Sequence, residues 1–176
     1  MASPLASLLA SVLFVAGICN LSGKPNVILI LGDDMGIDSV SAFNAKKGLK
    51  THAIDQMASE GISFMDAHST SGVCSPTRYS VLTGRYNWRS RLKRGIVGQW
   101  ERPLISNSRL TLPEMFRTDG YATCMIGKWH LGFQQPFLPR NQGFDHYYGL
   151  LHNLDPVEIV YFEEQGGVPL LSLIHI

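Results

Sequence analysis

The chain has 176 residues, 45% of them hydrophobic, with 15 basic and 14 acidic side chains and a formal charge of +1. That length and composition fit one globular domain and exclude a disordered or low-complexity chain; the near balance of charge excludes a bulk electrostatic pull on nucleic acid. No aromatic ladder or nucleic-acid-binding module accompanies the basic residues.

Residues 1–18 carry no charged side chain and are apolar from Leu5 onward, with Ala16 and Gly17 near the end. This predicts a secretory signal over residues 1–22, although a basic start is missing; the apolar run is short for a membrane span, so no stable insertion is expected. Cys19 falls at the expected cleavage region, leaving Cys74 and Cys124, too few for a disulfide framework. Val27-Ile28-Leu29-Ile30-Leu31, bounded by Pro25 and Gly32, predicts a strand buried on both faces. Asp33 and Asp34 follow at its carboxyl end, where ligand groups gather in parallel sheets. Two adjacent carboxylates suit a hard cation but fall short of the roughly six to eight oxygens calcium takes, and a turn or helix cap is the plain alternative.

Residues 51–60 place Ile54, Met57 and Ala58 at helical spacing before Gly61, a stop signal. Ile62-Ser63-Phe64-Met65 predicts a second short strand, and His68 lies in the loop beyond it. Next comes Gly72-Val73-Cys74-Ser75-Pro76-Thr77-Arg78-Tyr79-Ser80-Val81-Leu82-Thr83-Gly84-Arg85. Ser75 suits an N-cap and Pro76 the first helical position, so a helix is predicted to begin just after Cys74. The sulfur then sits beside unpaired N–H groups and the positive end of a helix dipole, and Arg78, four residues on, can return to the same end. The basic residues between positions 78 and 94 are either a solvated helix face or an attraction for anionic substrates.

Residues 95–109 read as an irregular loop. Thr111 and Glu114 form a capping-box pattern that opens a helix with Leu112, Met115 and Phe116 as its apolar stripe, ended by Asp119-Gly120. Tyr121-Ala122-Thr123-Cys124-Met125-Ile126 predicts a strand that delivers Gly127-Lys128-Trp129-His130-Leu131-Gly132. With the backbone extended, Lys128 and His130 share one side and Trp129 takes the other. Residues 157–162 read as a further strand.

The Cys74 to Arg85 run, with Cys74, Pro76 and Arg78 as its core, resembles the signature of the type I sulfatases, and Gly120-Tyr121 through His130 resembles their second signature. The resemblance covers about residues 25–149 and implies an α/β fold: an alkaline-phosphatase-like α/β/α sandwich with a mostly parallel sheet, cut short here. Residues 23–170 would be the N-terminal part of the catalytic domain, and residues 171–176 are doubtful as native sequence, resembling adapter read-through. By resemblance, Cys74 is the precursor of formylglycine, made by the formylglycine-generating enzyme. Asp33, Asp34 and the modified Cys74 would hold calcium, with magnesium as the alternative. Arg78 would support the hydrated aldehyde, Lys128 would bind sulfate, and His130 would act as base when sulfate leaves. The substrate would be a sulfate ester and the compartment the secretory route: secreted, lysosomal or periplasmic. The family's further metal ligands, second histidine and second lysine would lie past Ile176, so the chain alone is not expected to turn over substrate. Gly143-Phe144-Asp145 resembles a structural loop of the family, and Asp145, His146 and His152 receive no catalytic role. The competing readings are a phosphatase or phosphodiesterase of the same superfamily, and a truncated product without activity.

Overall fold

A computed structural model describes residues 23–98 and 101–152, together with the backbone of two strands at Ile159–Glu163 and Leu170–Leu173. The expected signal segment, Cys19 and residues 174–176 lie outside the described residues. The chain divides into two compact units, Met1–His52 and Ala53–Ile176.

In the first unit, residues 27–31 form no strand with any described residue, and their side chains are between 42 and 83% exposed. This corrects the expectation of a strand buried on both faces. The apolar composition is that of such a strand, but a strand is completed by ladder partners, and none of the described residues supplies one. Asp33 and Asp34 form the turn that follows, both exposed, with Asp34 at φ 58°. That left-handed conformation is one that Asp tolerates better than most residues. Beyond it, Ser41 and Thr51 bind reciprocally: each hydroxyl accepts from the other's backbone N–H, at 2.9 and 2.8 Å. Lys47 pairs with Asp38 and holds its carboxyl below the usual carboxylate range.

Helix α1, His52–Glu60, forms as the spacing predicts, and Gly61 N–H closes it on the Met57 carbonyl at 2.9 Å. None of its side chains is buried. Residues 62–65 are not a strand, and Ile62, Phe64 and Met65 are exposed, a second correction with the same cause as the first.

The described core of the second unit is formed by residues beyond these. Helix α2, Cys74–Thr83, is capped at its start by Val73 in extended conformation and at its end by Gly84 at φ 63°. The helix thus begins two residues earlier than the sequence indicated, at Cys74 rather than Pro76, and Ser75 is not its cap. Proline is accepted throughout the first helical turn, because those N–H groups have no intrahelical partner anyway, so Pro76 does not fix the starting residue. The fully buried Ser75 hydroxyl instead accepts from the Val97 N–H at 3.1 Å.

Helix α3, Leu112–Thr118, carries the full capping box. The Thr111 hydroxyl accepts from Glu114 N–H at 3.4 Å, and Thr111 N–H donates to Glu114 Oε2 at 2.8 Å. Its apolar stripe is only half realised: Leu112 and Phe116 are partly covered, while Met115 is exposed.

Strands β1 (Cys124–Ile126), β2 (His146–Leu150), β3 (Ile159–Glu163) and β4 (Leu170–Leu173) form one sheet in that order. β1 and β2 are parallel, with Cys124 opposite His146 and Ile126 opposite Tyr148; the β2–β3 and β3–β4 pairs are antiparallel. A short 3-10 turn at Pro139–Gln142 lies in the β1–β2 crossover. Asp145 fastens the start of the parallel pair: its Oδ2 accepts from Thr123 N–H at 2.8 Å, and its Oδ1 lies 3.2 Å from Arg117 Nε. Hydrogen bonds from Thr123 and the nearby guanidinium keep the Asp145 carboxyl below its ordinary range. The core lies between α2, this strand pair and the irregular segment before α3, and centres on Trp129, whose ring meets Phe144 edge-on at 6.5 Å. Val97, Leu104 and Ile105 put that irregular segment into the core rather than on the surface.

Candidate active site

Cys74 is the first residue of α2 and is half-buried. Arg78, one turn further, lies on the same helical face. Its Nη1 donates to the Lys128 carbonyl, which joins α2 to the Gly127–Gly132 stretch. A second link runs through Val97: its N–H goes to Ser75 Oγ, and its carbonyl meets His130 Nε2 at 3.1 Å. One backbone residue of the irregular loop thus ties the neighbour of Cys74 to the histidine of the second motif. The sequence offered no signal for it, because Val97 contributes main-chain atoms that any residue possesses.

Lys128, Trp129 and His130 continue beside β2 after β1 has ended. Gly127, Trp129 and His130 donate their N–H groups to the carbonyls of Tyr148, Leu150 and Leu151 at 2.8, 2.7 and 2.9 Å. Gly127 and Gly149 make this passage sterically feasible, since a Cβ on Gly149 would come within 2.0 Å of the Gly127 carbonyl oxygen. Tyr147 OH donates to that oxygen at 3.3 Å, and burial pushes its phenol well above the ordinary range.

His130 is 0% exposed and has a left-handed backbone at φ 57°. Burial lowers its pKa to about 4, helped by the basic neighbours His152, Lys128 and Arg78 and opposed by the Val97 carbonyl. The imidazole is therefore neutral at physiological pH. A carbonyl only accepts, so Nε2 carries the proton toward Val97 and the lone pair resides on Nδ1. A neutral ring with a defined acceptor nitrogen, next to a lysine and an arginine, can take a proton in a site suited to an anion.

Cys74, Arg78, Lys128 and His130 all belong to the second unit, and the contacts above bring the two motifs together. Asp33 and Asp34 belong to the first unit. Their carboxylates are oxygen donors of the kind a hard divalent cation takes, but two residues supply only part of its shell. Among the described residues no cluster of three or more His, Cys, Asp or Glu is arranged to hold a metal.

His152, given no catalytic role from the sequence, lies beside His130 in the structure. Carried forward, the β1–β2 register sets His130 opposite His152, and their ring centroids are 4.6 Å apart. The signal lay in strand pairing, which no local motif records.

The family model described as Sulfatase matches residues 25–164. Arylsulfatase G of Mus musculus is 40% identical over 141 residues, covering 77% of this chain and 26% of the relative. N-acetylgalactosamine-6-O-sulfatase of Bacteroides thetaiotaomicron is 36% identical over 159 residues, covering 85% and 31%. The chain thus spans between a quarter and a third of the length of these relatives. Among solved structures, a sulfatase from Pseudoalteromonas sp. superposes with TM-score 0.67 at 28% identity, covering 86% of this chain and 31% of that one. A Bacteroides thetaiotaomicron structure from a glycosaminoglycan-metabolism locus gives 0.70 at 33%, covering 77% and 31%. These neighbours have the alkaline-phosphatase-like α/β fold, of which the present chain is a part. The chain belongs to the sulfatase family.

Proposed function

We propose that the protein of which this chain is a part hydrolyses sulfuric esters, in the manner of an arylsulfatase, with a formylglycine derived from Cys74. The observation that carries this reading is the convergence of the two motifs: Arg78 on the Lys128 carbonyl, and Ser75 joined through Val97 to His130. The residues fit the modification chemically, since Cys74 is half-buried rather than sealed in the core, at the head of a helix, with Pro76 and Arg78 in the same first turns. Formylglycine supplies a carbonyl whose hydrate is an oxygen nucleophile able to release sulfate again without a separate hydrolytic step.

The chain's own side chains do the rest. Lys128 binds the sulfate group and neutralises part of its charge. Arg78 holds the helix end against the Lys128 carbonyl and adds positive charge beside Cys74. His130 accepts a proton at Nδ1, the nitrogen not committed to Val97. Asp33 and Asp34 would contribute carboxylate oxygens to a divalent cation, calcium or alternatively magnesium, which stabilises developing negative charge. Maturation requires the formylglycine-generating enzyme, and the route is secretory, ending outside the cell, in the lysosome or in the periplasm. The 176-residue chain by itself does not turn over substrate in this reading, because two carboxylates leave the cation under-coordinated.

Mass spectrometry of the Cys74 peptide from cells able to install the aldehyde tests the central claim. The expected product is formylglycine, and an unmodified thiol throughout the exported protein overturns it. Aryl sulfate and aryl phosphate assayed side by side on the protein extended to the length of its relatives separate a sulfatase from a phosphatase of the same superfamily.

A further inference from the structure

His130 is gripped on three sides, and two of the grips come from one short stretch. Leu151, just past β2, takes the His130 backbone N–H at 2.9 Å, and the next residue, His152, lays its imidazole against the His130 ring at 4.6 Å between centroids, tilted by 53°. Val97 holds Nε2 from the irregular loop. The His152 ring also packs on Phe133, with centroids 4.8 Å apart and planes 45° apart. Among the described residues no group hydrogen-bonds His130 Nδ1 or His152 Nε2, though both atoms are buried. A buried polar atom carries a cost unless chemistry uses it, and here two such atoms belong to rings in contact.

We infer that His152 is a positioning residue for His130, acting on the proton acceptor through ring contact rather than touching substrate itself. A ring held by a single hydrogen bond at Nε2 can still rock about its side-chain torsions or flip to exchange its nitrogens. Contact with a second ring, itself backed by Phe133, removes that freedom and keeps Nδ1 as the acceptor. His152 also adds to the basic groups that disfavour imidazolium at position 130. The groups facing His130 are His152 from the end of β2, Lys128 from the same segment and Arg78 from α2, while the loop contributes the neutral Val97 carbonyl. All three ionisable neighbours are basic, so each favours the neutral ring that can accept a proton.

The inference rests on His130 being the proton acceptor of the proposed sulfatase, yet its test is read without turnover. In the 176-residue chain labelled with nitrogen-15 at histidine, ring-nitrogen spectra report the tautomer and titration of His130 directly. The wild type should show a single Nε2–H tautomer. His152→Phe keeps a flat ring in the same place, so the single tautomer should persist. His152→Ala and His152→Leu remove the ring and should mix the tautomers. A His152→Ala or His152→Leu chain that keeps a single Nε2–H tautomer overturns the inference, as does a His152→Phe chain that mixes the tautomers, so the matter is decided even if the smaller replacements fail to fold. An unmodified Cys74 would sink the sulfatase reading while leaving these spectra unaffected, so the two failures are distinguishable.

Discussion

Residues 27–31 and Cys124–Ile126 are both short apolar stretches that lead directly into charged residues, Asp33 and Asp34 in one case and Lys128 in the other. By composition the first is the better strand, with five consecutive Val, Ile and Leu residues. Only the second forms one, because β2 lies beside it and takes its hydrogen bonds, and the ladder then continues to place Lys128, Trp129 and His130 residue by residue. The first has apolar side chains but no partner strand among the described residues, and its carboxylates are carried on an exposed turn. A side chain is aimed by its neighbours across the sheet more than by its own segment's propensity.

The largest effect expected from testing this contrast is at the site that the paired region builds. Cys74→Ala in the protein extended to the length of its relatives should lower sulfate-ester turnover by about a thousandfold or more, measured as kcat/KM, since it removes the precursor of the nucleophile. Next comes the close passage of the strands. Gly149→Ala puts a methyl group onto the Gly127 carbonyl and should cost about 3 kcal/mol by chemical denaturation, whereas Gly72→Ala, which meets nothing within 4 Å, should stay within about 0.5 kcal/mol.

Acid should weaken the paired region specifically. His130 binds its proton near pH 4 in the fold but near its ordinary value when unfolded, so the unfolded chain holds more protons between those values and stability falls as pH drops through them. The loss amounts to at most about 3 kcal/mol, read as a midpoint shift in denaturation that His130→Asn should abolish. Thr111→Ala removes one half of the capping box and should cost about 1 kcal/mol. The smallest effect belongs to the unpaired segment: Ile28→Thr, at a position 83% exposed, should change stability by less than about 0.5 kcal/mol. A larger loss would mean that the segment is packed in solution.

What could be read from the sequence follows the same division. The Thr111–Glu114 box is legible because both partners lie within one helical turn, and it forms as written. The α2 helix is legible, but its first residue is not, since Pro76 is accepted at several positions of a first turn. Cys74, Arg78, Lys128 and His130 are proposed through motifs, and the structure joins these motifs in one unit. Val97 and His152 receive no role from the sequence. One acts through its main chain and the other through a parallel register set by β1 and β2, and neither depends on a local pattern of residue types.

The left-handed backbone of His130 narrows what evolution or an experimenter can put there. Branched or bulky replacements would have to distort the main chain before any question of chemistry arose, so a dead enzyme made with valine at this position would report on the peptide and not on the imidazole. Asparagine accepts the same torsion more readily than most residues, and it offers an amide where the ring stood. It is therefore the substitution that separates loss of the imidazole from distortion of the main chain.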